Sequence, residues 1–149
     1  MRLVILGGPG AGKGTQAELL RSRLNIVWIS TGDILRAAIA AKDSDGESQT
    51  ELGRQAQQYV ERGELVPDEI MIQFIRRRLQ RPDVMAGWVL EGYPRTAFQA
   101  EELDFLLDDL NQHLDYAILL QTSDSVLIER SLAHAREDDT PETIQRRIK

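Results

Sequence analysis

Cysteine is absent from the 149 residues, which excludes disulfides and thiolate metal sites and suits a reducing compartment. Histidine occurs only at His113 and His134, isolated from each other, and both read as surface residues rather than ligands. Long apolar runs are also missing. The N-terminal run Leu3-Val4-Ile5-Leu6 is too short for a signal-peptide core or a membrane span, and no other stretch comes close. A cytoplasmic protein without membrane contact is therefore expected. Positive charge is in deficit: 18 Lys and Arg stand against 24 Asp and Glu, a net charge of −6. That balance speaks against a protein that coats nucleic acid. Basic residues must be concentrated locally if they are to grip an anion. There is neither an internal repeat nor a low-complexity tail, and the length suits one compact α/β domain.

What is present begins at residue 7. The apolar strand-like run leads straight into Gly7-Gly8-Pro9-Gly10-Ala11-Gly12-Lys13-Gly14-Thr15. A buried strand feeding a glycine-dense turn and then a helix is the order a phosphate-binding loop requires. Glycines let backbone N–H groups crowd inward around an anion. The next helix turns its positive end toward the same place. Lys13 is then expected on the β- and γ-phosphates of a nucleotide. The common pattern places Ser or Thr directly after the lysine; here Gly14 intervenes before Thr15.

Hydrophobic periodicity predicts strands at 2–6, 26–29, 87–90 and 116–120, alternating with helices at 13–24, 31–41, 50–62, 67–81, 96–109, 123–135 and 141–149. Ala17, Leu20 and Leu24 form the apolar stripe of the first helix, and Ile34, Ala38 and Ala41 that of the second. Pro141 after Thr140 suits a helix start. Strands alternating with helices favour a parallel sheet with right-handed crossovers. Residues 31–66 hold no strand and read as a helical excursion beside the phosphate loop, where a second ligand could be gripped.

Further motifs follow in order. Ile29-Ser30-Thr31-Gly32-Asp33 precedes Arg36; Glu91-Gly92-Tyr93-Pro94-Arg95-Thr96 precedes Gln99; Arg136-Glu137-Asp138-Asp139 precedes Arg147. Together with the phosphate loop, inserted Gly14 included, these resemble the adenylate kinases of the nucleoside monophosphate kinase family. The resemblance covers the whole chain. It implies a P-loop three-layer α/β/α fold with a parallel sheet, a helical NMP-binding insertion at 31–66 and a minimal lid at 131–135. The core would then comprise 1–30, 67–130 and 136–149 of a single domain, 1–149. The implied activity is reversible, Mg²⁺-dependent phosphoryl transfer from ATP to AMP, giving two ADP, by a monomer.

Transfer between two polyanions needs fixed cations more than covalent chemistry, and arginine suits it because its planar fork grips phosphate oxygens in pairs. Taken alone, any one arginine reads as a solvated surface charge; the motifs around Arg36 and Arg95 lift those two above it. By resemblance, Gly8, Pro9, Gly10, Ala11, Gly12, Lys13, Gly14, Thr15 and Arg130 bind ATP. The resemblance assigns AMP to Thr31, Gly32, Arg36, Glu64, Leu65, Val66, Gly92, Arg95, Gln99, Arg136 and Arg147. Lys13, Arg95, Arg130, Arg136 and Arg147 form the catalytic set. Thr31 and Gln99 are the base-reading candidates, and Thr31 also reads as a helix N-cap. Thr15, Asp33 and Glu91 are the Mg²⁺ candidates, the two acids through water; Asp33 reads equally as a first-turn helix charge. Asp138 and Asp139 either orient the neighbouring arginines or charge a helix start.

Four departures stand against that pattern. Glu91 occupies a place usually held by Asp. The 43–48 segment resembles a neutral insertion in the NMP-binding region. The lid is reduced to Ser131-Leu132-Ala133-His134-Ala135, with His134 where another arginine is common. The chain ends at Lys149, so a further helix, a C-terminal edge strand and a closing helix are expected to be absent, leaving a sheet edge open. The readings left beside adenylate kinase are a UMP/CMP kinase on the same scaffold and a truncated nucleotide-binding form with little turnover. A nucleic-acid-binding ATPase suits the loop but not the charge.

Overall fold

Alternation along four short strands decides which helix covers which side of the sheet. The computed structural model describes residues 1–40 and 50–133. Strands β1 (Arg2–Leu6), β2 (Val27–Ser30), β3 (Trp88–Glu91) and β4 (Tyr116–Leu119) pair in the order β2-β3-β1-β4, all parallel. The register sets Val4 and Ile29 opposite Leu90, and Leu3 and Trp28 opposite Val89. Residues in each row share a face, because side chains alternate along a strand. Near-continuous apolar strands such as these are the mark of a sheet covered on both sides.

One face packs under helix α1 (Lys13–Leu24). There Leu3, Ile5, Ile26 and Val89 bury against Ala17, with Leu20 and Trp28 at the margin. The other face carries Val4, Ile29, Trp88 and Leu90 against α4 (Asp68–Leu79) and α5 (Ala97–Asp109). Those helices contribute Met71, Ile75 and Leu79, and Leu103, Leu106 and Leu107. Each fully buried aliphatic or aromatic side chain contributes about 1.5–3 kcal/mol of transfer free energy.

The excursion is helical, as its lack of strand pattern predicts. It holds α2 (Thr31–Ala40) and α3 (Glu51–Glu61), which close over α4 through a small core of Leu52, Ala56 and Phe74 flanked by Ile34, Leu35 and Val66. The last described helix is α6 (Asp124–Ala133).

Differences from expectation are local. Thr50 and Thr96 stand outside their helices as caps, accepting the Gly53 and Gln99 N–H groups at 3.1 Å, so α3 and α5 start one residue late. Leu24 is exposed, because the final turn of α1 leads into a left-handed reversal at Asn25 rather than over the sheet. A short 3₁₀ helix at Pro82–Ala86 was not anticipated; Arg78 clamps it to α4 with two hydrogen bonds, 2.8 and 2.9 Å, to Asp83. His113 is exposed, as expected. β4 is the outer strand beside β1 among the described residues, with Tyr116 and Leu119 exposed. The 43–48 segment, His134, Arg136, Asp138, Asp139, Arg147 and the 141–149 helix lie outside the described residues.

Candidate active site

A parallel sheet delivers every strand's carboxyl end to one edge, and there the motif residues meet. β1 runs into the phosphate loop, β2 into Thr31, β3 into the Glu91–Arg95 turn and β4 into residues 120–123. The register seals the convergence: Glu91 lies opposite both Ile5 and Ser30.

Lys13 opens α1, and its Nζ donates to the Gly8 carbonyl at 2.9 Å, so the ammonium is folded back across its own loop. Burial lowers its pKa; the nearby Glu91 carboxylate opposes that shift and Arg95 reinforces it. Arg95 is held from two sides, its Nε donating to the Gly92 carbonyl at 3.0 Å and its backbone N–H to Gln99 Oε1 at 2.7 Å. Arg130, on α6, donates to the Gly10 carbonyl at 3.4 Å across 120 residues of sequence. Lys13 and Arg130 are thus anchored on carbonyls of the phosphate loop, and Arg95 on a carbonyl of the turn after β3.

Beside them, Thr31 is buried and donates to the Glu91 carbonyl at 3.4 Å. Gly92 has φ +94 and faces it so closely that a Cβ there would collide with Thr31 Oγ1. Arg36 folds back toward the start of α2: its guanidinium nitrogens lie 3.1 and 3.2 Å from where a Cβ on Gly32 would stand, and it pairs with Asp33. Both partners are exposed, so the pair orients the arginine without strongly stabilising the fold. Gln99 uses both ends of its amide, Oε1 accepting from Arg95 and Nε2 donating to Asp68 Oδ1 at 2.7 Å. The Glu64–Val66 segment follows α3, and Leu65 is 89% exposed. Tyr93 is buried, its hydroxyl donating to Glu102 at 3.3 Å; burial and that neighbouring carboxylate push its pKa up.

Sequence reasoning missed two contacts. Trp28 Nε1 donates to Glu91 Oε2 at 3.1 Å, and Asp68 holds Gln99. Each joins residues distant in sequence, and neither Trp28 nor Asp68 belongs to a motif.

A cleft of about 500 Å³ opens beside the loop, walled by Gly7 and Gly8 and by Leu119, Gln121, Thr122, Asp124 and Leu127 of the β4–α6 segment. For a divalent cation, the nearby donors are the exposed Thr15 hydroxyl and the half-buried Glu91 carboxylate. These are hard oxygen donors, and no group of three or more His, Cys, Asp or Glu among the described residues could hold a metal. The set fits a cation that keeps its waters and arrives with phosphates, not one caged by protein alone. No helix of the described residues is long and apolar enough to cross a membrane.

Comparison with known proteins gives the same direction. The family model for adenylate kinase matches residues 5–149. The chain is 60% identical over 148 residues to "Adenylate kinase 2" of a Nostoc species, an alignment covering 99% of this chain and 77% of that protein. "Adenylate kinase 2" of a Synechocystis species is 55% identical over 148 residues, covering 99% and 78%. "Adenylate kinase" of Corynebacterium urealyticum is 49% identical over 148 residues, with the same coverage.

Proposed function

The chain belongs to the adenylate kinase family, and from that membership we propose how its residues divide the work of moving a phosphoryl group from ATP to AMP to give two ADP. The observation that carries the division is topological: Lys13 opens the helix after β1, and Glu91 and Arg95 stand at and just past the end of β3, the strand paired with β1. A lysine after one strand end and an arginine on the turn after the neighbouring strand suit two phosphate chains brought end to end. UMP and CMP are not the favoured acceptors, since the relatives matched across this chain are named adenylate kinases.

In this reading the donor phosphates lie in the Gly8–Thr15 loop, and Lys13 leaves the Gly8 carbonyl for their oxygens. The donor nucleoside runs toward the cleft between Gly8 and Asp124, passing Arg130. AMP lies on the other side, its phosphate between Arg36 and Arg95 and its base between Thr31, Gly92 and the Glu64–Val66 segment. Gln99 offers the base a donor and an acceptor in one plane. Arg136 and Arg147 are proposed to close on the transferring group.

Mg²⁺ is proposed to be held by Thr15 directly and by Glu91 through water. When bound, it neutralises charge shared between the donor phosphates. Asp33, paired with Arg36, serves chiefly to aim that arginine, and reaches the cation's water shell only by releasing it. Catalysis then comes from positioning and fixed positive charge, with no covalent intermediate. Exclusion of water by closure keeps the γ-phosphoryl for AMP.

The test is ADP formation from ATP, AMP and Mg²⁺ in a coupled assay, with Lys13→Ala beside the native chain. Loss of turnover in a variant that keeps its melting temperature is expected. Retained turnover would remove Lys13 from the donor site.

A further inference from the structure

The contact missed in the sequence has a chemical role available to it. Trp28 and Glu91 sit on the same face of the sheet, two register positions apart, because Trp28 pairs with Val89 and Ser30 with Glu91. The indole therefore leans along β2 toward the carboxyl edge. The side chain packs at the margin of the α1-side core of Leu3, Ile5, Ala17 and Val89. The benzo edge runs under the phosphate loop: a Cβ added to Gly14 would stand 3.7 Å from Cζ2 and 3.9 Å from Cη2. The remaining polar atom, Nε1–H, donates to Glu91 Oε2 at 3.1 Å.

A glutamate has three side-chain torsions, and one left to itself at a strand end spreads its carboxylate over several rotamers. Here one oxygen is taken by a rigid ring, and the other stays available. The carboxylate is thereby kept at the end of β3, where Glu91 lies opposite Ile5 near the end of β1 that leads into the phosphate loop. The fit also depends on side-chain length. An aspartate at position 91 withdraws its carboxylate by one carbon–carbon bond, about 1.5 Å, out of reach of the indole.

We propose that Trp28 is a positioning residue for phosphoryl transfer, holding the Glu91 carboxylate in the orientation that receives the hydrated cation of the donor nucleotide. The inference rests on the reading of Glu91 as that cation's water-mediated partner. Groups that orient a metal's partners without touching the metal commonly change its affinity by about ten- to a hundredfold when removed.

The experiment uses the full chain and its two indole N–H signals in ¹H–¹⁵N spectra. Trp88, whose Nε1 donates to Gln112 inside the core, is the internal control. Glu91→Gln should move the Trp28 signal and not that of Trp88. Adding Mg²⁺ to protein already saturated with a non-hydrolysable ATP analogue should move it again. Trp28→Phe, which keeps an apolar ring under Gly14, should raise the Mg²⁺ concentration for half-maximal rate by about tenfold while KM for AMP stays within about twofold. A Trp28 signal indifferent to Glu91→Gln overturns the contact. A Trp28→Phe variant whose loss falls equally on every substrate, with its Mg²⁺ dependence unchanged, overturns the positioning role and leaves packing alone. If Glu91→Gln moves the signal yet leaves Mg²⁺ dependence untouched, the cation reading of Glu91 is what fails, and the proposed role for Trp28 falls with it while the contact stands.

Discussion

Replacing Gly92 by alanine should damage this protein in two separable ways, and a second glycine allows them to be told apart. At φ +94 an L-residue bears a dihedral cost of about 1–2 kcal/mol. A Cβ there also collides with Thr31 Oγ1, a buried hydroxyl at the first residue of α2 that donates to the Glu91 carbonyl. Neither the strand end nor the helix start yields cheaply, and overpacking of that kind costs about 1–3 kcal/mol more. The combined loss of about 2–5 kcal/mol lowers the melting temperature of a chain this size by on the order of 10 °C. Gly63, at φ +69 with nothing within 4 Å of an added Cβ, bears the dihedral cost alone, so Gly63→Ala should lose only about 1–2 kcal/mol. Thermal melting by circular dichroism reads both. Because Arg95 Nε is anchored on the Gly92 carbonyl, Gly92→Ala should also raise KM for AMP more than KM for ATP. Adding Thr31→Ala removes the obstructing oxygen and should restore part of the lost stability. Equal losses at Gly92 and Gly63, or no recovery in the double variant, would refute the collision.

The remaining predictions are briefer. Arg95→Ala should weaken AMP more than ATP in steady-state kinetics; the reverse order breaks the two-site assignment. Trp88→Phe should cost about 1–3 kcal/mol in chemical denaturation, because it leaves Gln112 Oε1 without its indole donor in a buried network that also reaches the Leu79 carbonyl. Hydrogen bonding to Arg78 lowers the pKa of Asp83, so the folded state binds that proton less tightly than the unfolded chain. Its contribution is then present above 3.8, the ordinary value, and is lost as pH falls through the depressed one. Asp83→Asn should flatten that acid limb of the stability curve, by under about 1 kcal/mol because the carboxylate is half exposed to water; an unchanged limb would show that the pair contributes nothing.

Much of the fold could be read in advance because its signals are local. An apolar strand before a glycine-dense loop, threonines ahead of α3 and α5, and the strandless stretch of 31–66 each announce themselves within a few residues. Even so, the threonines were first counted as helical, since a cap and a first helical residue look alike without backbone angles. The 3₁₀ helix escaped because five residues are too few for a period. Within the candidate site, Lys13, Arg95 and Gln99 stood in motifs. Trp28 and Asp68 did not, for their partners lie 63 and 31 positions away and only strand register or helix packing brings them together. An indole in a β-strand reads as core, and the hydrogen bond at its rim has no sequence signature. Arg36 pairs with Asp33, one helical turn back, a contact within its own helix that the motif alone does not announce.

Gln99 is clamped between the Arg95 N–H and Asp68, and, if it reads the acceptor base as proposed, this bears on how a base preference drifts over generations. The amide cannot turn over without setting its oxygen against a carboxylate and its NH₂ group against an N–H. The face it presents is therefore inherited from α4, an element with no part in the phosphate loop or the motif turns. On the proposed reading of Gln99, a change at position 68 would then alter acceptor preference from outside the slot. Screens for altered acceptors confined to the walls of the slot would pass that route by.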